Sequence, residues 1–145
     1  MFTLKTIVDK AFSENKKLHV GFVDFKKAYD TVWRNGLFFK LLNNGVSPGF
    51  VKLVKSMYSQ MKTCIQLPNG ISNPFQSLIG LKQGCNLSPL FFNLYVNYLI
   101  DKLNAVHSDA PLLDNLKVSC LLYADDLVLI SETQSGLQES LNTLN

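Results

Sequence analysis

Arginine is almost absent: of fourteen basic residues only Arg34 is one. That argues against bidentate reading of base edges and, if nucleic acid is bound at all, favours sequence-independent contacts to its backbone. The three cysteines, Cys64, Cys85 and Cys120, are odd in number, far apart and without metal-ligand spacing, so they are read as reduced packing thiols. His19 and His107 are read as structural or surface residues rather than ligands. No apolar run approaches the roughly 18 residues of a membrane span, and Lys5, Asp9 and Lys10 interrupt any N-terminal signal core. The expectation is therefore a soluble intracellular protein of cytoplasm or nucleus, not secreted and with no membrane partner. No repeat, low-complexity tract or Pro/Gly/Ser-rich linker marks a domain boundary.

What is present is one domain's worth of sequence, 145 residues, with 47% hydrophobic content to build a core. Charge is unevenly spread. Residues 1–82 hold 12 Lys+Arg against 4 Asp+Glu, and residues 83–145 hold 2 against 7, so one half suits phosphates and the other cations. A solvated lysine surface is the plain alternative for the first half.

Helical spacing of Leu4, Ile7, Val8, Ala11 and Phe12 predicts an opening helix ending near Asn15-Lys16-Lys17. Residues 18–25 read as a largely buried strand with Asp24 near its end. A helix is expected after Asp30 as far as Gly45, and Ser47-Pro48 starts another. Residues 63–67 and 75–79 flank Asn69-Gly70 and predict a hairpin. Residues 80–86 form a polar, glycine-bearing loop. Ser88-Pro89 opens a helix that buries Leu90, Phe91, Leu94, Tyr95, Tyr98 and Leu99 on one face. Residues 105–115 read as loop, 118–123 and 127–131 as two strands, and Ser135-x-x-Gln138 as the capping box of a last helix. Helices mixed with hairpins in this way give an α+β fold, an antiparallel sheet packed on helices.

Asp125-Asp126 interrupts the apolar run from Leu121 to Ile130, an awkward place for charge. Alone the pair reads as a polar turn, and Asp24 as a strand-end acid or helix cap. If the sheet sets these strands side by side, three carboxylates gather. At about 6 Å and an effective dielectric near 20 each like pair then costs roughly 3 kcal/mol. A divalent cation removes that cost, and carboxylates without His or thiolate favour a hard ion such as Mg2+.

Tyr123-Ala124-Asp125-Asp126 resembles the Y/F-x-D-D motif of reverse transcriptases. The stretch Asp24-Phe25-Lys26-Lys27-Ala28-Tyr29-Asp30 resembles that family's first motif, D-x-x-K-A-F/Y-D. Gly80-Leu81-Lys82-Gln83-Gly84-Cys85-Asn86-Leu87-Ser88-Pro89 resembles the intervening G-x-x-Q-G-x-x-x-S-P. The wording is most similar to non-LTR (LINE-type) retrotransposons. The resemblance implies a right-hand polymerase palm with partial fingers, and an RNA-directed DNA polymerase acting on an RNA template, a DNA primer and dNTP. It implies Asp24 and Asp125 as main ligands of two Mg2+ ions, Mn2+ being possible, with Asp126 and the carbonyl of Phe25 assisting. Tyr29 would lie beneath the incoming sugar, its alternative being core packing. Gln83 and Gly84 would line the nucleotide pocket, and Tyr123 would sit near the primer terminus unless it is a core aromatic. Lys26, Lys27 and Lys82 would contact phosphates or simply be solvated, and Asp30 would be a structural acid pairing with a lysine or capping the next helix. The family's upstream fingers strands, thumb and endonuclease do not fit in 145 residues. The expectation is a partial domain not active alone, with a catalytically inactive retroelement remnant that binds nucleic acid nonspecifically as the alternative.

Overall fold

The computed structural model describes residues 2–106 and 109–144; His107 lies outside them. In chain order the elements are α1 (Phe2–Ser13), β1 (His19–Asp24), α2 (Arg34–Asn43), α3 (Pro48–Ser59), β2 (Lys62–Thr63), β3 (Gln66–Leu67), β4 (Gly70–Ile71), β5 (Phe75–Gln76), α4 (Ser88–Val106), β6 (Leu112–Leu113), β7 (Leu116–Lys117), β8 (Cys120–Tyr123), β9 (Asp126–Ser131) and α5 (Gln134–Thr143). The class is α+β, with antiparallel strands and helices, as expected. The chain divides into two compact units, Met1–Lys26 with Val96–Asn145, and Lys27–Tyr95.

The first unit is built on an antiparallel sheet of order β1-β9-β8. Successive β9 residues point to opposite faces, and both faces carry apolar side chains. Leu127 and Leu129 pack with Leu103 and half-buried Val23, Phe25, Leu99 and Leu137. On the other face Ile130 packs with Val118 and with Ile7 of α1, and Val20, Leu121 and Val128 close around them. Central β9 is therefore the most buried strand. Edge strand β1 is not the largely buried strand expected, because Phe22 stands 76% exposed. The opening helix ends at Ser13 and buries Ile7 and Ala11, while Val8 and Phe12 face solvent.

Three other expectations fail. The last helix is capped not by Ser135 but by Thr133, whose Oγ1 accepts from the Gly136 amide at 3.0 Å while donating to Asp109 at 2.6 Å. Residues 105–115 are not all loop: α4 runs to Val106, and β6 and β7 form a small hairpin turning at Asp114-Asn115. In α4 the buried apolar residues are Phe91, Phe92, Val96 and Leu103, while Leu90 and Tyr98 are exposed. Outside the polar stripe of Asn93, Asn97 and Asp101 the apolar residues of α4 cover more of the helix than one neighbour can bury, so its neighbours choose the face.

In the second unit α2 packs on α3, with Phe38 against Tyr58 at 6.4 Å between ring centroids. Ser47 caps α3 as expected, its Oγ accepting from the Phe50 amide, with Pro48 at the first turn. The hairpin between residues 62 and 76 exists as two nested pairs, β2 with β5 and β3 with β4. Its tight turn falls at Pro68-Asn69, so Gly70 begins a strand instead of sitting in the turn.

Candidate functional site

The antiparallel register sets Asp24 of β1 directly opposite Asp126 of β9, and Asp126 opposite Tyr123 of β8. Cross-strand partners share a face, so Asp24, Asp126 and Tyr123 form one row across the sheet end. It is the face that α1 covers farther along, at Ile130. At the acidic end the cover stops: Asp24 and Asp126 are exposed, and Tyr123 is 84% exposed. That exposure rules out Tyr123 as a core aromatic. Phe22, two residues before Asp24 on the same face, is open as well. Alternation alone could not reveal Phe22 as a neighbour of the acids, since it does not say where a covering helix stops.

Tyr123 and Asp126 are joined by a two-residue turn, Ala124-Asp125. Ala124 holds φ 53, the left-handed region that costs a residue with a Cβ of order 1 kcal/mol or more. Asp125, half-buried in that turn, stands beside the row rather than in it. Among the described residues no group of three His, Cys, Asp or Glu side chains could hold a metal ion, so the expected gathering of three carboxylates is not preformed. The physical reason is visible in the exposure. Asp24 and Asp126 stand in water, which screens the repulsion a buried cluster would suffer. Among the described residues none of the three forms an ion pair. The donor set fits the chemistry of a hard divalent ion: it is all carboxylate oxygen, and the two register neighbours, Asp24 and Asp126, are open to solvent. Phe25 follows β1 and packs half-buried beside Leu127 and Leu129.

The second unit holds the remaining candidates. Tyr29 is half-buried and stacks on Phe92, with 4.9 Å between centroids and an interplanar angle of 18°. Its carbonyl accepts from the Leu81 amide at 2.7 Å, and that of Val32 accepts from the Gly80 amide at 2.9 Å. Two backbone bonds thus join the stretch after Asp24 to the loop that carries Gln83. The approach is so close that a Cβ on Gly80 would lie 2.6 Å from the Asp30 carbonyl oxygen, and Gly80 also holds φ +83. Only glycine fits there.

The loop beyond is closed on itself. Ser88 is buried and donates through Oγ to the Lys82 carbonyl at 2.6 Å, and that carbonyl also accepts from the Cys85 amide. Gly84 holds φ +76 with open space where a Cβ would stand. Lys26, Lys27 and Lys82 are exposed. Lys27 holds φ 53, and its carbonyl accepts from the amides of Asp30 and Thr31. Asp30 does not cap α2, whose first turn follows Trp33, and among the described residues it pairs with no lysine; its Oδ1 accepts from Gln83 Nε2 at 2.9 Å.

Sequence reasoning missed Arg34. It is buried, 7% exposed, and donates to the carbonyls of Gly80, Ser77 and Ile79 at 2.7, 2.6 and 2.8 Å while lying 4.8 Å over the Tyr58 ring. Burial pulls its pKa down, partly offset by Tyr58. The lone arginine is a clip for the loop before Gln83. Its rarity was the one available signal, and rarity does not say what a residue touches. In the first unit, burial pushes the Cys120 thiol up.

A family model described as reverse transcriptase (RNA-dependent DNA polymerase) matches residues 2–145. The chain is 28% identical over 141 residues to the retrovirus-related Pol polyprotein from type-1 retrotransposable element R2 of Nasonia vitripennis, covering 97% of this chain and 14% of that protein. It is 30% identical over 141 residues to the probable RNA-directed DNA polymerase from transposon BS of Drosophila melanogaster, covering 93% and 15%. The chain thus spans only 14% to 15% of these relatives. Among solved structures, apo telomerase from Candida tropicalis truncated from its C-terminal domain superposes with a TM-score of 0.66 at 17% identity, over 98% of this chain and 30% of that one. At that identity the likeness speaks to the fold alone.

Proposed function

Because the chain belongs to the reverse transcriptase (RNA-dependent DNA polymerase) family, with relatives among non-LTR retrotransposons and the α+β right-hand polymerase fold, we propose that it is the palm and part of the fingers of an RNA-directed DNA polymerase. It would work within a longer retrotransposon protein, on an RNA template, a DNA primer and dNTP. The observation that carries this reading is the register that sets Asp24 opposite Asp126 at the uncovered end of the sheet.

Asp24 and Asp125 would hold two divalent ions, Mg2+ or Mn2+, assisted by Asp126 and the Phe25 carbonyl. Bound there, the ions supply charge, making a primer hydroxyl easier to deprotonate and offsetting the negative charge of the phosphates. The protein's own share is positioning. Tyr29, its ring fixed by stacking on Phe92, would present a rigid wall to a sugar and exclude a 2′-hydroxyl. Gly84 leaves room for a ligand to approach the backbone. Gln83 would hydrogen-bond the nucleotide, Tyr123 would pack near the primer end, and Lys26, Lys27 and Lys82 would contact phosphates.

A second reading, a retroelement remnant that binds nucleic acid without catalysis, is favoured by one observation: no three-ligand group is preformed among the described residues. Primer extension on an RNA template with Mg2+ or Mn2+ separates the two. Assayed within the longer protein that supplies the rest of the polymerase, the polymerase reading expects addition of deoxynucleotides that Asp24→Asn and Asp125→Asn each abolish. Salt-sensitive RNA binding with no addition under either ion would establish the remnant.

A further inference from the structure

The proposed nucleotide pocket contains an amide whose orientation nothing in the motif determines. Gln83 is exposed, and the one side-chain hydrogen bond it makes among the described residues is from Nε2 to Asp30 Oδ1 at 2.9 Å. A carboxylate is an acceptor only, so it can be served by the amide's NH2 end and not by its carbonyl end. Asp30 is itself held in place. Its amide donates to the Lys27 carbonyl at 2.9 Å, and its backbone lies against Gly80 so tightly that no Cβ fits between. The bonds from Leu81 to Tyr29 and from Gly80 to Val32 fix the two segments on either side. Asp30 is also the only acid in the unit Lys27–Tyr95, so no other carboxylate there competes for the amide.

We propose that Asp30 is a positioning residue that locks the Gln83 amide with Nε2 toward Asp30 and Oε1 away from it, so that the end Gln83 turns to its ligand is the hydrogen-bond acceptor. The inference rests on the reading of Gln83 as nucleotide-binding, and it names the polarity of that contact. The ligand atom opposite Oε1 must carry a hydrogen, as a sugar hydroxyl or a base amino group does and a phosphate oxygen does not. Locking also spares the ligand the cost of ordering a free glutamine side chain.

The test has two arms on the full chain. In the first, the Gln83 side-chain NH2 resonances are identified by their loss in Gln83→Ala and followed in Asp30→Asn and Asp30→Ala. Both substitutions should move them toward the position of a free amide, Asp30→Ala fully and Asp30→Asn in part, because Asn can accept or donate. Resonances that stay put in both variants overturn the proposal. In the second arm dATP binding with Mg2+ is titrated. Asp30→Ala and Gln83→Ala should each weaken it by about fivefold, the worth of one hydrogen bond, and the double variant should be no weaker than Gln83→Ala alone. Fully additive losses would overturn the coupling. Asp30→Asn, nearly the same shape as Asp30, covers the case in which Asp30→Ala does not fold. If the wild-type chain takes up no dATP, the nucleotide-pocket reading fails, while the amide resonances still decide whether Asp30 locks Gln83.

Discussion

In Lys27–Tyr95 seven Lys and Arg stand against one acid, whereas the other unit carries seven against ten. The two units also use their polar groups differently. In the basic unit the lone acid and the lone arginine are occupied internally, Asp30 on Gln83 and Arg34 on three loop carbonyls. In the acidic unit the carboxylates of Asp24 and Asp126 are left uncovered and without ion pairs among the described residues. The contrast separates a unit whose lone acid and lone arginine bond within it from one whose strand-end carboxylates face solvent.

Breaking the clip should produce the largest effect. Arg34→Ala removes a buried fork and strands three carbonyls, so urea unfolding should show a loss of about 3 kcal/mol, and faster amide exchange at residues 77–81. Arg34→Lys should recover only part of it, since an ammonium cannot serve the same fork. Next comes Gly80→Ala, which combines the left-handed backbone with a 2.6 Å encounter with Asp30. A loss of about 2 kcal/mol is expected in the same measurement.

On the acidic side the sign reverses. In metal-free buffer Asp24→Asn should stabilise the chain by a few tenths of a kcal/mol, because like charges directly opposite on paired strands repel. Urea midpoints at low and high salt check this, since salt should erase the gain. The smallest effect belongs to the exposed cluster where Lys16 meets Glu14 at 2.8 Å and Glu132 at 3.7 Å. The Lys16 bond holds the Glu14 carboxyl below its ordinary value, and the same bond raises Lys16. The stability from Glu14 is therefore present above its ordinary range and lost as pH falls through the depressed value. That from Lys16 is present below its ordinary range and lost as pH rises through the raised one. Lys16→Ala should flatten both ends of the pH-stability profile slightly.

The parts legible in the sequence were those set by local pattern. Strand periodicity around Asp125-Asp126 gave the β8–β9 hairpin to within a residue or two, and Ser47-Pro48 marked the start of α3 because a cap is decided within four residues. What was not legible depends on partners distant in the chain. Arg34 reaches carbonyls more than forty positions away, and the exposure of Phe22 depends on how far along the sheet α1 extends. The buried face of α4 is not legible either, because neighbouring elements, not the helix's own pattern, decide which of its many apolar residues are covered. The role of Asp30 needed a partner, Gln83, that no spacing rule connects to it.

On the proposed reading, the uncovered carboxylates of Asp24 and Asp126, with Asp125 in the turn, hold divalent cation. Thermal unfolding with increasing Mg2+ and Mn2+ tests it most directly. At ten times the dissociation constant the wild-type chain should gain about 1.4 kcal/mol, roughly 4 °C in Tm. Asp24→Asn and Asp125→Asn should each lose that gain while remaining folded without metal. A metal-induced rise that survives both substitutions, or no rise in the wild-type chain at millimolar ion, would contradict it.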